Sequence, residues 1–291
     1  MREPCATRRD VLVGGALIAT DCAFAQPAPV AAIAAVEREL RGRVGFCALD
    51  TSSGRTVTHR AGERFALCST FKVPLAAAVL TRIDAGTIGQ SEVLRVERAK
   101  LLSVSPVSTA HADAGTMPVL TACQAVVSFS DNTAANLLLG LIGGPSALTA
   151  FLRNLGDDVT RLDRYELELN SNVAGDPRDT TTPEAMLHTL RTLLLADALG
   201  ARSRDLLTAW MVDEQRGKAR VRAGLPGAWC VANKPGTSAN GATNDIAVAW
   251  PREQAPIVVA AYINAPEATA PAREDAIAEI TRAAAQSFGL A

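Results

Sequence analysis

Strand signals cluster at the two ends of this 291-residue chain and are nearly absent between them. Residues 44–50 alternate as a strand does, Thr51-Ser52-Ser53-Gly54 reads as a turn, and 56–60 reads as a second strand. The signal returns only at 229–234, 245–250 and 257–263. A lone hairpin is marginal in water, so strands from both ends are expected to share one sheet. Between them, 70–85, 120–127, 133–142, 146–155 and 183–198 read as helices, and amphipathic segments at 31–41 and 273–288 lie beside the terminal strands. The fold class that follows is α+β: an antiparallel sheet from both chain ends, flanked by helices, with an inserted all-α domain. Its boundaries are placed at about 26–66 and 208–291 for the α/β part and about 67–207 for the helical part. A cleft is expected where the two meet, since side chains from both converge there.

With 48% hydrophobic residues, a chain this long has the apolar surface for one large core or two intimate ones. Lys+Arg 29 against Asp+Glu 30 leaves a net charge of -1, which excludes nucleic acid as an expected partner and gives no general attraction to an anionic membrane. The first 25 residues differ in kind. Arg8 and Arg9 precede the apolar run 11–20, and Ala23-Phe24-Ala25 supplies the small residues of a signal-peptidase site before Gln26. Residues 1–25 are predicted to be an export signal, with twin-arginine character in Thr7-Arg8-Arg9-Asp10-Val11-Leu12. The body contains no membrane-length apolar run, so the processed protein is expected to be exported, off the membrane and monomeric. Cys47, Cys68, Cys123 and Cys230 remain after processing. Their spacing matches no metal site, and the reading is no zinc, no other metal, no cofactor and no required disulfide.

Four short segments carry candidate chemistry. Ser69-Thr70-Phe71-Lys72 opens an apolar stretch at a helix start, where residues three apart share a face, so Lys72 reaches the Ser69 hydroxyl. Those are the needs of an activated nucleophile. Alone the spacing means little, since roughly one such pair arises by chance in a chain of this size. Ser130-Asp131-Asn132 is by itself a good helix N-cap. Lys234-Pro235-Gly236-Thr237 ends a strand, with a glycine that lets something approach closely. Arg164-Tyr165-Glu166-Leu167-Glu168-Leu169-Asn170 is, taken singly, a polar loop running on to Asp179.

Taken in order, Ser-x-x-Lys, Ser-Asp-Asn, Glu-x-x-x-Asn and Lys-x-Gly resemble the signature of class A serine β-lactamases. Cys68, Ser105-Pro106-Val107, Asn132-Thr133-Ala134-Ala135-Asn136, Arg178-Asp179-Thr180-Thr181 and Thr243-Asn244-Asp245 extend the resemblance along the whole chain after the signal. It implies hydrolysis of β-lactams through an acyl-enzyme on Ser69, with Lys72 and Glu166 as candidate bases and Glu166 as the deacylating base acting through a water also held by Asn170. It implies an oxyanion hole from the amides of Ser69 and Thr237, proton delivery by Ser130 and an amide contact from Asn132. Lys234, Gly236, Thr237 and a guanidinium from Arg220 complete the substrate site, and Arg164 with Asp179 pins the loop of Glu166.

Four positions depart from the family pattern. Pro235 replaces a hydroxyl residue that helps hold the substrate carboxylate. Leu167 stands where many relatives have proline, in a loop whose bond there is often cis. Val104 replaces an aromatic residue at the mouth of the cleft. The run 167–170 and Arg220 resemble the carbapenem-hydrolysing branch, yet Ser238 stands where that branch has the cysteine partner of Cys68. Two rival readings are a DD-peptidase, which shares the serine, lysine and Lys-x-Gly elements but lacks the deacylating glutamate, and a non-catalytic β-lactam sensor, for which Pro235 is the best argument.

Overall fold

The computed structural model describes residues 28–290; the expected export signal at 1–25, with Cys5 and Cys22, lies outside the described residues. The strands in chain order are β1 (Arg43–Asp50), β2 (Thr56–His59), β3 (Phe65–Ala66), β4 (Val93–Arg95), β5 (Thr116–Pro118), β6 (Thr180–Thr181), β7 (Cys230–Thr237), β8 (Ala242–Trp250) and β9 (Ile257–Asn264). The helices are α1 (Ala28–Leu40), α2 (Lys72–Asp84), α3 (Pro106–Ala110), α4 (Val119–Ser128), α5 (Asn132–Ile142), α6 (Pro145–Asn154), α7 (Pro183–Leu195), α8 (Ala201–Val212) and α9 (Ala270–Ser287).

The chain ends do share a sheet. Its order is β2-β1-β9-β8-β7, antiparallel throughout, with β1 from the N-terminal part seated against β9 from the C-terminal part. Period-2 alternation on β9 sends Val258, Ala260 and Tyr262 into one core, and Ile257, Val259, Ala261 and Ile263 into another. The first core is shared with α2 and α7, the second with α1 and α9. A one-residue slip would exchange the two sets, so the register is fixed from both faces. Helix α2 is apolar nearly all round and buried from Lys72 through Leu80, which holds its first turn rigidly against its neighbours.

Several boundaries differ from the sequence reading. The strand predicted at 229–234 continues to Thr237, with Pro235 opposite Asp245 and Thr237 opposite Thr243. Proline is tolerated because β7 is an edge strand with β8 as its single neighbour. The helix predicted to run to 198 stops at Leu195, because Ala196 turns extended and its carbonyl accepts from Arg204 at 2.6 Å. The boundary placed near 207 falls inside α8. Two ribbons inside the helical region, β3 with β6 and β4 with β5, are two or three residues per strand, too short to show a period.

Candidate active site

Ser69 lies in a 3₁₀ turn, Cys68–Phe71, that feeds directly into α2, one turn earlier than a pure α-helix would begin. The turn is possible because Gly236 on β7 packs against it. A Cβ there would sit 3.0 Å from Leu67 O and 3.1 Å from Ser69 N, so the glycine admits the approach of the serine's backbone. Lys72 Nζ is buried and reaches Ser69 Oγ at 3.1 Å, Ser130 O at 2.9 Å, Ser130 Oγ at 3.4 Å and Asn132 Oδ1 at 2.6 Å. Burial pulls the Lys72 ammonium below the ordinary lysine range, and the neighbouring Glu166 carboxylate opposes that pull. Asp131 caps α5 by accepting from Ala134 N at 2.9 Å, as the N-cap reading expects, while its neighbours Ser130 and Asn132 line the cleft.

Glu166 is delivered from the opposite wall. Its Oε1 is 2.9 Å from Lys72 Nζ, and its Oε2 accepts from Asn170 Nδ2 at 2.6 Å. Asn136 fixes its backbone twice, donating to Glu166 O and accepting from Glu166 N, each at 2.9 Å. The Glu166–Leu167 peptide is cis. The loop is closed by Asp179, fully buried, which accepts from Asp163 N at 2.7 Å, Arg164 N at 3.0 Å and Arg164 Nε at 2.5 Å. The Asp179 carbonyl accepts from Leu67 N at 2.9 Å, so the loop and the Ser69 turn are tied together. Asn170 Oδ1 is buried with no hydrogen-bond partner among the described residues, leaving an acceptor beside Glu166.

β7 forms the third wall. Ser238 N donates to Ala242 O at 3.0 Å across to β8, and strand amides alternate in direction, so the Thr237 N–H and the Pro235 nitrogen both face away from β8. Lys234 is buried and its Nζ has no hydrogen-bond partner among the described residues. Burial, reinforced by the charge of Lys72, holds its pKa down at about 7. Arg220 arrives from the loop before β7, its neighbour Val221 held by Asp245 Oδ2 at 3.1 Å. Asp245 itself is pushed up to about 7 by burial. Ser69, Ser130, Asn132, Thr237 and Arg220 line a single cleft of about 720 Å³.

Residues 28–288 match the model of the β-lactamase enzyme family. The chain is 47% identical to β-lactamase L2 of Stenotrophomonas maltophilia, over 88% of this chain and 84% of that protein. It is 44% identical to β-lactamase AST-1 of Nocardia asteroides, over 88% and 82%. Among solved structures, the last common ancestor of Gram-negative bacteria class A β-lactamase superposes with a TM-score of 0.88 at 50% identity, covering 90% of this chain and all of that one. A β-lactamase from Burkholderia vietnamiensis gives 0.89 at 44% identity, covering 92% and 99%. The chain is a class A serine β-lactamase.

Within this β-lactamase the structure brings together Ser69, Lys72, Ser130, Asn132, Glu166, Asn170, Arg220, Gly236 and Thr237, and Lys234 is buried on the same strand as Gly236 and Thr237. Arg220, expected to supply a guanidinium to the substrate carboxylate, is bonded to the protein itself. Its Nη1 donates to Gly236 O at 3.0 Å and Asn244 O at 2.8 Å. Its Nη2 donates to Thr237 Oγ1 at 2.8 Å and Glu274 Oε1 at 3.0 Å, and its Nε to Glu274 Oε1 at 3.2 Å. A guanidinium has five N–H donors, and all are taken. Ser238, at the position of the absent cysteine, donates to Asn170 O at 2.7 Å and joins β7 to the Glu166 loop. Cys47, Cys68 and Cys123 are buried small residues, with burial raising all three thiols, whereas Cys230 is exposed. Val104 lines the mouth of the cleft, with its carbonyl accepting from Asn132 N. Among the cleft residues that no sequence motif marks are Glu274 on α9 and Arg216, which only their spatial position identifies.

Proposed function

We propose that the protein hydrolyses β-lactams through an acyl-enzyme on Ser69. The Ser69 proton leaves to Lys72 or Glu166, the Oγ–acyl bond forms and the lactam C–N bond breaks. Ser130 passes a proton to the departing nitrogen, and the amides of Ser69 and Thr237 take the oxyanion, each such donor being worth ~2.7–4 kcal/mol in comparable sites. Glu166 then removes a proton from a water held with Asn170; the water oxygen joins the acyl carbon, the Oγ–acyl bond breaks and Ser69 regains its proton. The observation that carries this reading is the placement of one buried amine nitrogen, Lys72 Nζ, within 3.1 Å of Ser69 Oγ and 2.9 Å of Glu166 Oε1. A nucleophile and two bases therefore share one proton network. Asn132 is proposed to hold the substrate's side-chain amide, and Lys234 its carboxylate. The enzyme is further proposed to work as an exported, processed monomer, in keeping with Arg8-Arg9 and Ala23-Phe24-Ala25; among the described residues no single helix is long and apolar enough to cross a membrane.

A chromogenic cephalosporin in large excess tests the reading. Many equivalents are consumed per enzyme if deacylation works. One equivalent consumed with a stable adduct would indicate a DD-peptidase-like protein, and none would indicate a binding protein.

A further inference from the structure

The cleft holds a second arginine with nothing to do. Arg216 lines it together with Ser130, Arg220, Pro235 and Thr237. Among the described residues its guanidinium has no hydrogen-bond or ion-pair partner; its backbone N–H alone is engaged, by Glu214 Oε1 at 2.7 Å. By contrast, the five donors of Arg220 are spent on Gly236, Asn244, Thr237 and Glu274, and the Glu274 carboxylate covers the edge that a bidentate ligand would need.

The backbone beneath Arg216 is fixed on three sides. Buried Glu214 accepts from Arg216 N and from Gly217 N, each at 2.7 Å. Gln215 N donates to Ser128 O at 3.1 Å, close in sequence to Ser130. Gly217 lies on the Pro235 ring, where an added Cβ would be 3.0 Å from Pro235 Cγ and 2.7 Å from Asn233 Nδ2. A side chain at that contact would have to displace Asn233 and press on the Pro235 ring, so the turn is seated on one of the residues that depart from the family pattern. The charge of Arg216 is also felt by both buried lysines, Lys72 and Lys234. A rigid turn thus presents an unpaired cation between Ser130 and the β7 edge, where the hydroxyl normally found in place of Pro235 is missing.

We infer that Arg216 receives the carboxylate of β-lactam substrates in this enzyme, while Arg220, closed by Glu274, serves to position Thr237. The inference rests on the acyl-enzyme reading, because that reading sets the lactam ring against Ser69 and its neighbouring carboxylate toward Ser130 and Thr237. An exposed guanidinium is partly screened by water, so its loss should raise KM on the order of tenfold rather than a hundredfold.

The experiment compares a penicillin with its neutral carboxyl ester, in wild type, Arg216→Gln, Arg216→Lys and Glu274→Gln. Wild-type turnover of the penicillin tests the acyl-enzyme reading; the ratio between the two substrates tests the inference. Arg216→Gln should raise KM for the acid about tenfold more than for the ester with kcat little altered, and Arg216→Lys should recover part of that difference. Equal effects on acid and ester, or none, would overturn the inference. So would a fall in KM for the acid in Glu274→Gln, since that would show Arg220 to be the receptor and Glu274 its competitor.

Discussion

Replacing Pro235 with threonine restores the hydroxyl that the cleft edge of β7 lacks. The cost in the ladder is nil. Ser238 N is bonded to Ala242 O, so the backbone nitrogen two places before Thr237 points away from β8, and proline there forfeits no strand pairing. The gain is one hydroxyl donated to a carboxylate, a charged hydrogen bond worth roughly 1.5–3 kcal/mol when fully formed. Thr237, Lys234 and Arg216 are proposed to serve that carboxylate already and the cleft is open to water, so the lower end applies. At 1.36 kcal/mol per factor of ten, kcat/KM for a penicillin should rise by up to about tenfold. Releasing the ring also frees the unfolded chain, costing about 0.4–1 kcal/mol of stability. In a domain of this size that lowers Tm by about 1–4 °C. Steady-state kinetics with the acid and its ester, beside a melting curve, read both effects. An unchanged or lower kcat/KM in a variant melting within that range would refute the reasoning. It would mean that the contact between Gly217 and the ring has rebuilt the site around proline.

Asp179→Ala strips an acceptor from Asp163 N, Arg164 N and Arg164 Nε, and breaking a buried pair of this kind costs about 3–5 kcal/mol. A Tm lower by roughly 10 °C and slower deacylation are expected; wild-type melting and turnover would contradict the pinning role. Lys234 is charged below its pKa of about 7 and neutral above it, so kcat/KM for carboxylate substrates should fall as pH rises past that point. Lys234→Arg, which stays protonated, should shift this alkaline limb upward, and an identical limb would assign it to another group. N-terminal sequencing of the exported protein should begin at Gln26; a retained membrane-held N-terminus would contradict cleavage after Ala25.

The sheet was legible because period-2 alternation is a local signal, and the pairing of the chain ends followed from the scarcity of strand signal elsewhere. The nucleophile, the lysine and Glu166 were legible because their motifs are contiguous and ordered. What the sequence withheld is set by contacts between distant residues. Arg220 and Glu274 meet across 54 positions, and nothing in the amphipathic pattern of α9 announces that its Glu274 closes a guanidinium in the cleft. The contact of Gly217 with Pro235 is of the same kind, a steric fit between a loop and a strand. The N-cap reading of Ser130-Asp131-Asn132 holds for Asp131, which caps α5, while its neighbours Ser130 and Asn132 face the cleft where the catalytic reading needs them. Local sequence rules do not separate such dual use.

The acyl-enzyme account depends most directly on Glu166 acting after the covalent step. The deciding measurement is intact mass of Glu166→Gln mixed with excess penicillin. Glutamine keeps the shape of the side chain but cannot take a proton from water, so Ser69, with Lys72 beside it, should still be acylated and remain so. A stable mass increase equal to the whole penicillin, mapped to Ser69 by peptide digestion, is the predicted result. Rapid turnover by Glu166→Gln, or an adduct on any other residue, would contradict the account.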